Sequence, residues 1–311
     1  MPSPAAPSTV QVIKPVTPTT NTFRADLFKG KVVLSTGGRS GIVYKMIKVM
    51  MNHGADSAII GRNGPENEKA AAQLSKETGR TCLPCQGDVR KPEDLKAAAK
   101  AAYEKFGKID FVICGAAGNF LSPIEGLSEN AFKTVVDIDL VSPAPVPPRI
   151  KALPLCPLNN RRALQLGTYN TIKATLPYVR EAQGSYIHIS ATLHYRGLPW
   201  QAHVSAAKAG VDALSAVLAV EEGPRGVRSN VIAPDNPKGD RNNDAMPLGR
   251  WGDGDEIAAM ALFLFSDSAN WITGQVFVVD GGENHVRVPQ LPYPQAVLDP
   301  KSMMDRIQAK I

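Results

Sequence analysis

Only four cysteines occur in 311 residues, at Cys82, Cys85, Cys114 and Cys156, which is too few for a disulfide framework. Cys82 and Cys85 form a C-x-x-C. No second pair and no pair of histidines completes a metal site, and their segment reads as a strand, so core packing is the expectation. No apolar run is long enough to cross a bilayer; the longest spans residues 257–265. The start of the chain lacks a charged head followed by an apolar block, so no secretory signal is read there. A basic stripe with interleaved aromatics is also missing. The net charge of +6 therefore suits a polyanionic small molecule better than nucleic acid.

What is present is alternation. Residues 1–27 are rich in Pro, Thr and Ser without periodicity and read as a flexible leader. Short apolar strands are then expected at 31–35, 57–60, 81–85, 109–114, 186–190, 227–232 and 275–279. Between them lie helical stretches through 52 and at 66–77, 92–106, 170–182, 202–222 and 255–266. Pro92 suits the first turn of its helix. Strands alternating with helices of this length predict a single-domain α/β fold, a Rossmann-type doubly wound parallel sheet of about seven strands over 28–285. Residues 286–311 form a C-terminal extension.

The first strand runs into Thr36-Gly37-Gly38-Arg39-Ser40-Gly41-Ile42, which opens a helix. Glycines there permit a tight turn, and backbone N–H groups at the helix N-terminus favour a pyrophosphate. A site for NAD wants an acid at the end of the second strand, to bind a ribose 2′-hydroxyl. This chain has Gly61-Arg62-Asn63 instead. Arg62, helped by Arg39, suits a 2′-phosphate, so NADPH is the expected cofactor.

With Gly87-Asp88-Val89, Ala116-Ala117-Gly118, Ser190, Lys208, Asn230 to Pro234 and Asp280-Gly281-Gly282, the turn resembles the short-chain dehydrogenase/reductase family over residues 28–285. Further motifs are similar to those of its fungal peroxisomal 2,4-dienoyl-CoA reductases: Ala116 to Phe120, Asp137-Ile138-Asp139, Ser190-Ala191-Thr192 and His203 to Gly210. The last residues, Ala309-Lys310-Ile311, resemble a peroxisomal address read by an import receptor. The resemblance implies a peroxisomal enzyme of fatty-acid β-oxidation that binds a fatty acyl-CoA and assembles as a homodimer or homotetramer.

It also implies site residues. Gly37, Gly38, Arg39, Ser40, Gly41, Ile42, Arg62, Asn63, Asp88, Val89, Ala116, Ala117, Gly118, Lys208 and Pro234 would bind NADPH. Arg62, Arg90, Phe120, Ser128 and Asn130 would line the acyl-CoA site. The usual family acid, a Tyr four residues before the Lys, is Val204 here, and its Ser partner falls at Ala191. Without a phenol to protonate an alkoxide, ordinary ketone reduction is disfavoured. Lys208 and Asp139 are the expected catalytic residues, with Asp137 the spare carboxylate. His194 and Tyr195 are expected at the pocket border, without a catalytic part.

Two segments depart from the family. Residues 141–165 carry six prolines and four basic residues inside what should be one continuous helix, and an interior proline costs a helix about 3 kcal/mol. Removing them joins Asp137 to Leu140 with Leu166 to Asn170 and restores the pattern. The block begins Val-Ser, which donor-type codons beginning GTAAG or GTGAG encode, and ends in Gln, which CAG encodes. It reads as a translated intron; the alternative is a genuine surface insertion. After Pro234, Asp235-Asn236-Pro237 and a shortened segment replace the family's substrate loop. Val43 stands where a third glycine is frequent. Two further readings stay open: another acyl-CoA or ketone reductase of the family, and a catalytically impaired dinucleotide-binding protein.

Overall fold

The computed structural model describes residues 18–139, 167–234, 247–286 and 294–303. Seven strands form one sheet: β1 (Val32–Thr36), β2 (Asp56–Gly61), β3 (Cys82–Gln86), β4 (Phe111–Cys114), β5 (Ser185–Ile189), β6 (Arg228–Pro234) and β7 (Val276–Val279). Their order is β3-β2-β1-β4-β5-β6-β7, and every pairing is parallel. β1 is wholly buried because helices cover both of its faces, which explains its unbroken apolar run.

The described residues hold nine helices: α1 (Gly41–Asn52), α2 (Gly64–Thr78), α3 (Pro92–Phe106), α4 (Glu129–Asp139), α5 (Gly167–Glu181), α6 (Leu193–Arg196), α7 (Ala202–Glu222), α8 (Gly254–Phe265) and the short α9 (Gln295–Leu298). One core layer joins α1, α2 and α8 through Met46, Met50, Leu74 and Leu262. The other joins α3, α5 and α7 through Leu95, Ala99, Ile172 and Leu218. α7 has the length and hydropathy of a bilayer span. It nevertheless packs on β6 and carries a buried lysine and glutamate, the composition of a core helix.

Sequence and structure agree closely where local chemistry is strong. α3 occupies its expected bounds, with Pro92 in its first turn and Gly107 closing it in the left-handed region at φ 77°. The doubly wound parallel sheet of seven strands is as expected. Cys82 and Cys85 are buried on β3, and burial raises both thiols to about 11, so they pack rather than react.

Part of the segment read as a leader packs on the domain. Thr19 Oγ1 hydrogen bonds His53 Nε2 at 3.0 Å, His53 Nδ1 lies 2.8 Å from the Arg24 carbonyl, and Phe23 and Leu27 pack on the core. Docking on a buried histidine beyond the C-terminus of α1 orders residues that carry no periodic signal. Of the C-terminal extension, Val286 and residues 294–303 are described, and Met303 is buried. The tail Ala309-Lys310-Ile311, the block 141–165 and the segment 235–246 lie outside the described residues.

β5 and β6 also bury a polar chain. His188 Nε2 lies 3.0 Å from Ser229 Oγ, which lies 2.8 Å from Ser215 Oγ on α7. Burial lowers His188 to about 4, so the imidazole is neutral in the fold. Its folded value lies below the unfolded one, so the unfolded chain binds the extra proton between roughly pH 6.5 and 4. Stability present above that window is lost as pH falls through it, by an order of magnitude of about 3 kcal/mol. In His188→Asn, the melting temperature is expected to fall less steeply over this range. A wild-type acid profile in the variant would assign the effect elsewhere.

Candidate active site

The strand order reverses between β1 and β4, and the carboxyl ends of the strands there open a crevice, the usual ligand position in such sheets. A cleft of about 940 Å³ occupies it. Gly37, Arg39, Ser40, Ile42, Arg62, Asn63, Asp88, Val89, Ala116 and Ala117 line it. Backbone closeness explains the turn. A β-carbon on Gly37 would meet the Gly115 carbonyl at 3.0 Å, and its φ of 87° already disfavours a side chain.

Other expected cofactor residues shape the cleft without lining it. Gly38 faces inward, where a side chain would strike Ser35 and Ile59. Gly41 begins α1 at φ 67°. Gly118 lies beside Ile138, and Pro234 ends β6 opposite Val279. Ile138, from the Asp137-Ile138-Asp139 motif, lines the cleft too, and so do Ile189, Gln86 and Gly115, which no motif named. Of these three, Gly115 carried a signal, its place between β4 and Ala116. Val43 fits because residue 115 is glycine; a β-carbon there would collide with the Val43 side chain.

The charge of the cleft matches an anion. Arg39 and Arg62 are exposed on its rim, and neither guanidinium is held in an ion pair among the described residues. Asn63 is occupied as the cap of α2, accepting from the Glu66 N–H at 3.2 Å. Asp88 lies deeper, and the Arg90 guanidinium holds its carboxyl below the usual range.

Arg90, expected on the acyl-CoA site, pairs with the Asp88 carboxylate two residues away, its Nη2 at 2.6 Å and its Nε at 3.0 Å. The short loop makes the nearby partner available. Ser128 caps α4, accepting from the Ala131 N–H at 3.2 Å, and Asn130 is exposed in the first turn. Phe120 reaches the face of α7, stacked on His203 with ring centroids 4.4 Å apart.

Lys208 is buried on α7 and donates from Nζ to the Ile189 carbonyl at 3.0 Å, which brings its ammonium to the C-terminal end of β5 beside the cleft. One turn earlier Val204 is buried and holds no proton to give. Asp139 is the last residue described on α4, and its side chain lies outside the described residues. Asp137 is buried; Lys133 binds its Oδ2, while Oδ1 has no hydrogen-bond partner. His194 and Tyr195 both bind the Asp212 carboxylate on α7.

Comparison with known proteins agrees with this geometry. Residues 31–146 match the family profile described as short chain dehydrogenase, and residues 164–284 match one described as enoyl-(acyl carrier protein) reductase. The two matches leave residues 147–163 between them. The chain is 41% identical to the peroxisomal 2,4-dienoyl-CoA reductase, (3E)-enoyl-CoA-producing, of Saccharomyces cerevisiae, over 93% of this chain and 96% of that protein. It is 39% identical to the rat protein of the same description, over 84% and 86%. Among solved structures, a short chain dehydrogenase from Bacillus anthracis superimposes with a TM-score of 0.70 and 36% identity, over 85% of this chain and all of that one.

Proposed function

The chain belongs to the short-chain dehydrogenase/reductase family and is closely related to its peroxisomal 2,4-dienoyl-CoA reductases, and on that premise we propose that it reduces 2,4-dienoyl-CoA to 3-enoyl-CoA with NADPH. One observation carries the choice of reaction. Val204 replaces the phenol that would protonate an alkoxide, while Lys208 keeps its place on the Ile189 carbonyl. A carbonyl reductase would lack its acid there. A reaction whose proton goes to carbon does not need that phenol.

The described residues fit a dinucleotide. Gly37 admits close approach, the N-terminus of α1 faces the cleft through Ser40 and Ile42, and Arg39 and Arg62 would meet a 2′-phosphate. When bound, the reduced cofactor supplies a hydride, which in this reading goes to C5 of the dienoyl chain. Charge then gathers on the thioester oxygen and calls for hydrogen-bond donors. Lys208 would hold the nicotinamide ribose and add positive charge. Asp139 would position or protonate the water that delivers a proton to the α-carbon, with Asp137 held ready by Lys133. Deuteride transferred from labelled cofactor is expected at C5 and solvent deuterium at C2. Label at a carbinol carbon would overturn the reading.

Arg62→Asp is expected to raise the NADPH KM about tenfold, the loss of one charge-assisted hydrogen bond. The NADH KM should change little. Equal losses with both cofactors would remove Arg62 from 2′-phosphate recognition.

The same reading makes the protein peroxisomal, in keeping with the relatives' descriptions, with Ala309-Lys310-Ile311 engaging the import receptor. Homo-oligomerisation belongs to it as well. β7 ends the sheet with Val276 and Val278 turned outward, and Trp271 is fully exposed, apolar surface that a second copy would cover.

A further inference from the structure

α6 is one helical turn, too short to hold itself in place. Three of its four residues reach carboxylates on two other elements. His194 and Tyr195 lie 2.7 and 2.8 Å from Asp212 Oδ2 on α7. Arg196 turns the other way, to the bend after β7. Its Nη2 meets Glu283 Oε2 at 2.5 Å, and its Nη1 donates to the carbonyls of Glu283 at 2.8 Å and Val286 at 3.1 Å. Both side chains are nearly buried, 15% and 6% exposed, so the pair is shielded from the water that weakens exposed ion pairs.

The bend that Arg196 grips packs in turn against Pro247. Next to Glu283, Gly282 sits at φ 86°, and a β-carbon there would meet Pro247 at 3.1 Å. Beyond α6 the chain returns at Trp200, whose carbonyl accepts from the Ser122 N–H at 3.2 Å, close to the stacked Phe120 and His203. α6 thus stands between the end of β5, next to Lys208, and the wall that carries Phe120.

We propose that Arg196 is a positioning residue that locks α6 to the bend after β7 and so sets the wall of the acyl site. The proposal deepens the dienoyl-CoA reading and rests on it. The ion pair touches neither cofactor nor reacting atoms; it acts through α6.

Two readouts test it on the full chain. In Arg196→Met and Glu283→Gln, amide exchange across residues 192–198 is expected to speed up about tenfold or more, with α1 and α2 unchanged. In the same variants the KM for a 2,4-dienoyl-CoA should rise about tenfold, while the NADPH KM stays within about twofold. Arg196→Lys should recover part of both effects, since it keeps the charge without the fork. Wild-type exchange in Arg196→Met overturns the latch, and so does loosened α6 beside an unchanged acyl-CoA KM. A wild-type chain that oxidises no NADPH with any dienoyl-CoA defeats the proposed reaction instead, and the exchange data then decide the latch alone.

Discussion

Lys208→Met is expected to lower turnover with 2,4-dienoyl-CoA by about 100- to 1,000-fold while the protein stays folded. The variant keeps the length and apolar stem of the side chain but removes its charge. The wild-type ammonium is buried and fixed by the Ile189 carbonyl, so it needs no reorganisation when negative charge develops nearby. Preorganised donors of that kind contribute about two to three orders of magnitude to rate. The orphaned Ile189 carbonyl costs about 1–3 kcal/mol of stability, which a thermal melt will read separately from kcat. A variant within about threefold of wild-type turnover would take Lys208 out of the chemistry.

Deleting residues 141–165 is expected to stabilise the protein and raise its activity. The described flanks argue for this. α4 ends at Asp139 and α5 begins at Gly167, and the two ends abut so closely that a β-carbon on Gly167 would collide with the Ile138 carbonyl. Helix ends that already meet do not need 25 residues to join them. Closing so long a loop costs roughly 3 kcal/mol of chain entropy, about 100-fold in the folding equilibrium. The melting temperature should rise by about 5–10 °C. A continuous helix would also fix Asp139 between turns on both sides. A transcript lacking these codons would agree with the intron reading; a deletion variant that melts lower would make the block part of the natural fold.

The parts of this molecule that were legible in the sequence are those decided by local chemistry. The glycine turn before α1, Pro92 at the start of α3 and the runs that became β1 and β2 each specify their own backbone, so the sheet followed. The substitution of Gly61-Arg62 for an acid was legible for the same reason, because a strand end sets where its next residue points. What stayed hidden depends on residues far apart. Nothing local says that Val43 will fit because residue 115 lacks a side chain, or that His53 will draw residues 19–28 onto the core. Nor did the motifs announce that Arg90 pairs with the Asp88 carboxylate two residues away. Arg196 gave no signal at all, since Glu283 lies 87 positions later.

The central claim is that a cleft built for NADPH serves a carbon-protonating reduction, in a site that has lost the phenol of ketone reductases. NADPH oxidation by the full chain with 2,4-dienoyl-CoA and with 3-oxoacyl-CoA, measured side by side, tests it most directly. The account predicts turnover of the dienoyl-CoA, with 3-enoyl-CoA as product, and no turnover of the 3-oxoacyl-CoA. Faster turnover of the 3-oxoacyl-CoA would contradict it, and silence with both substrates would leave a protein that binds a dinucleotide without reducing either.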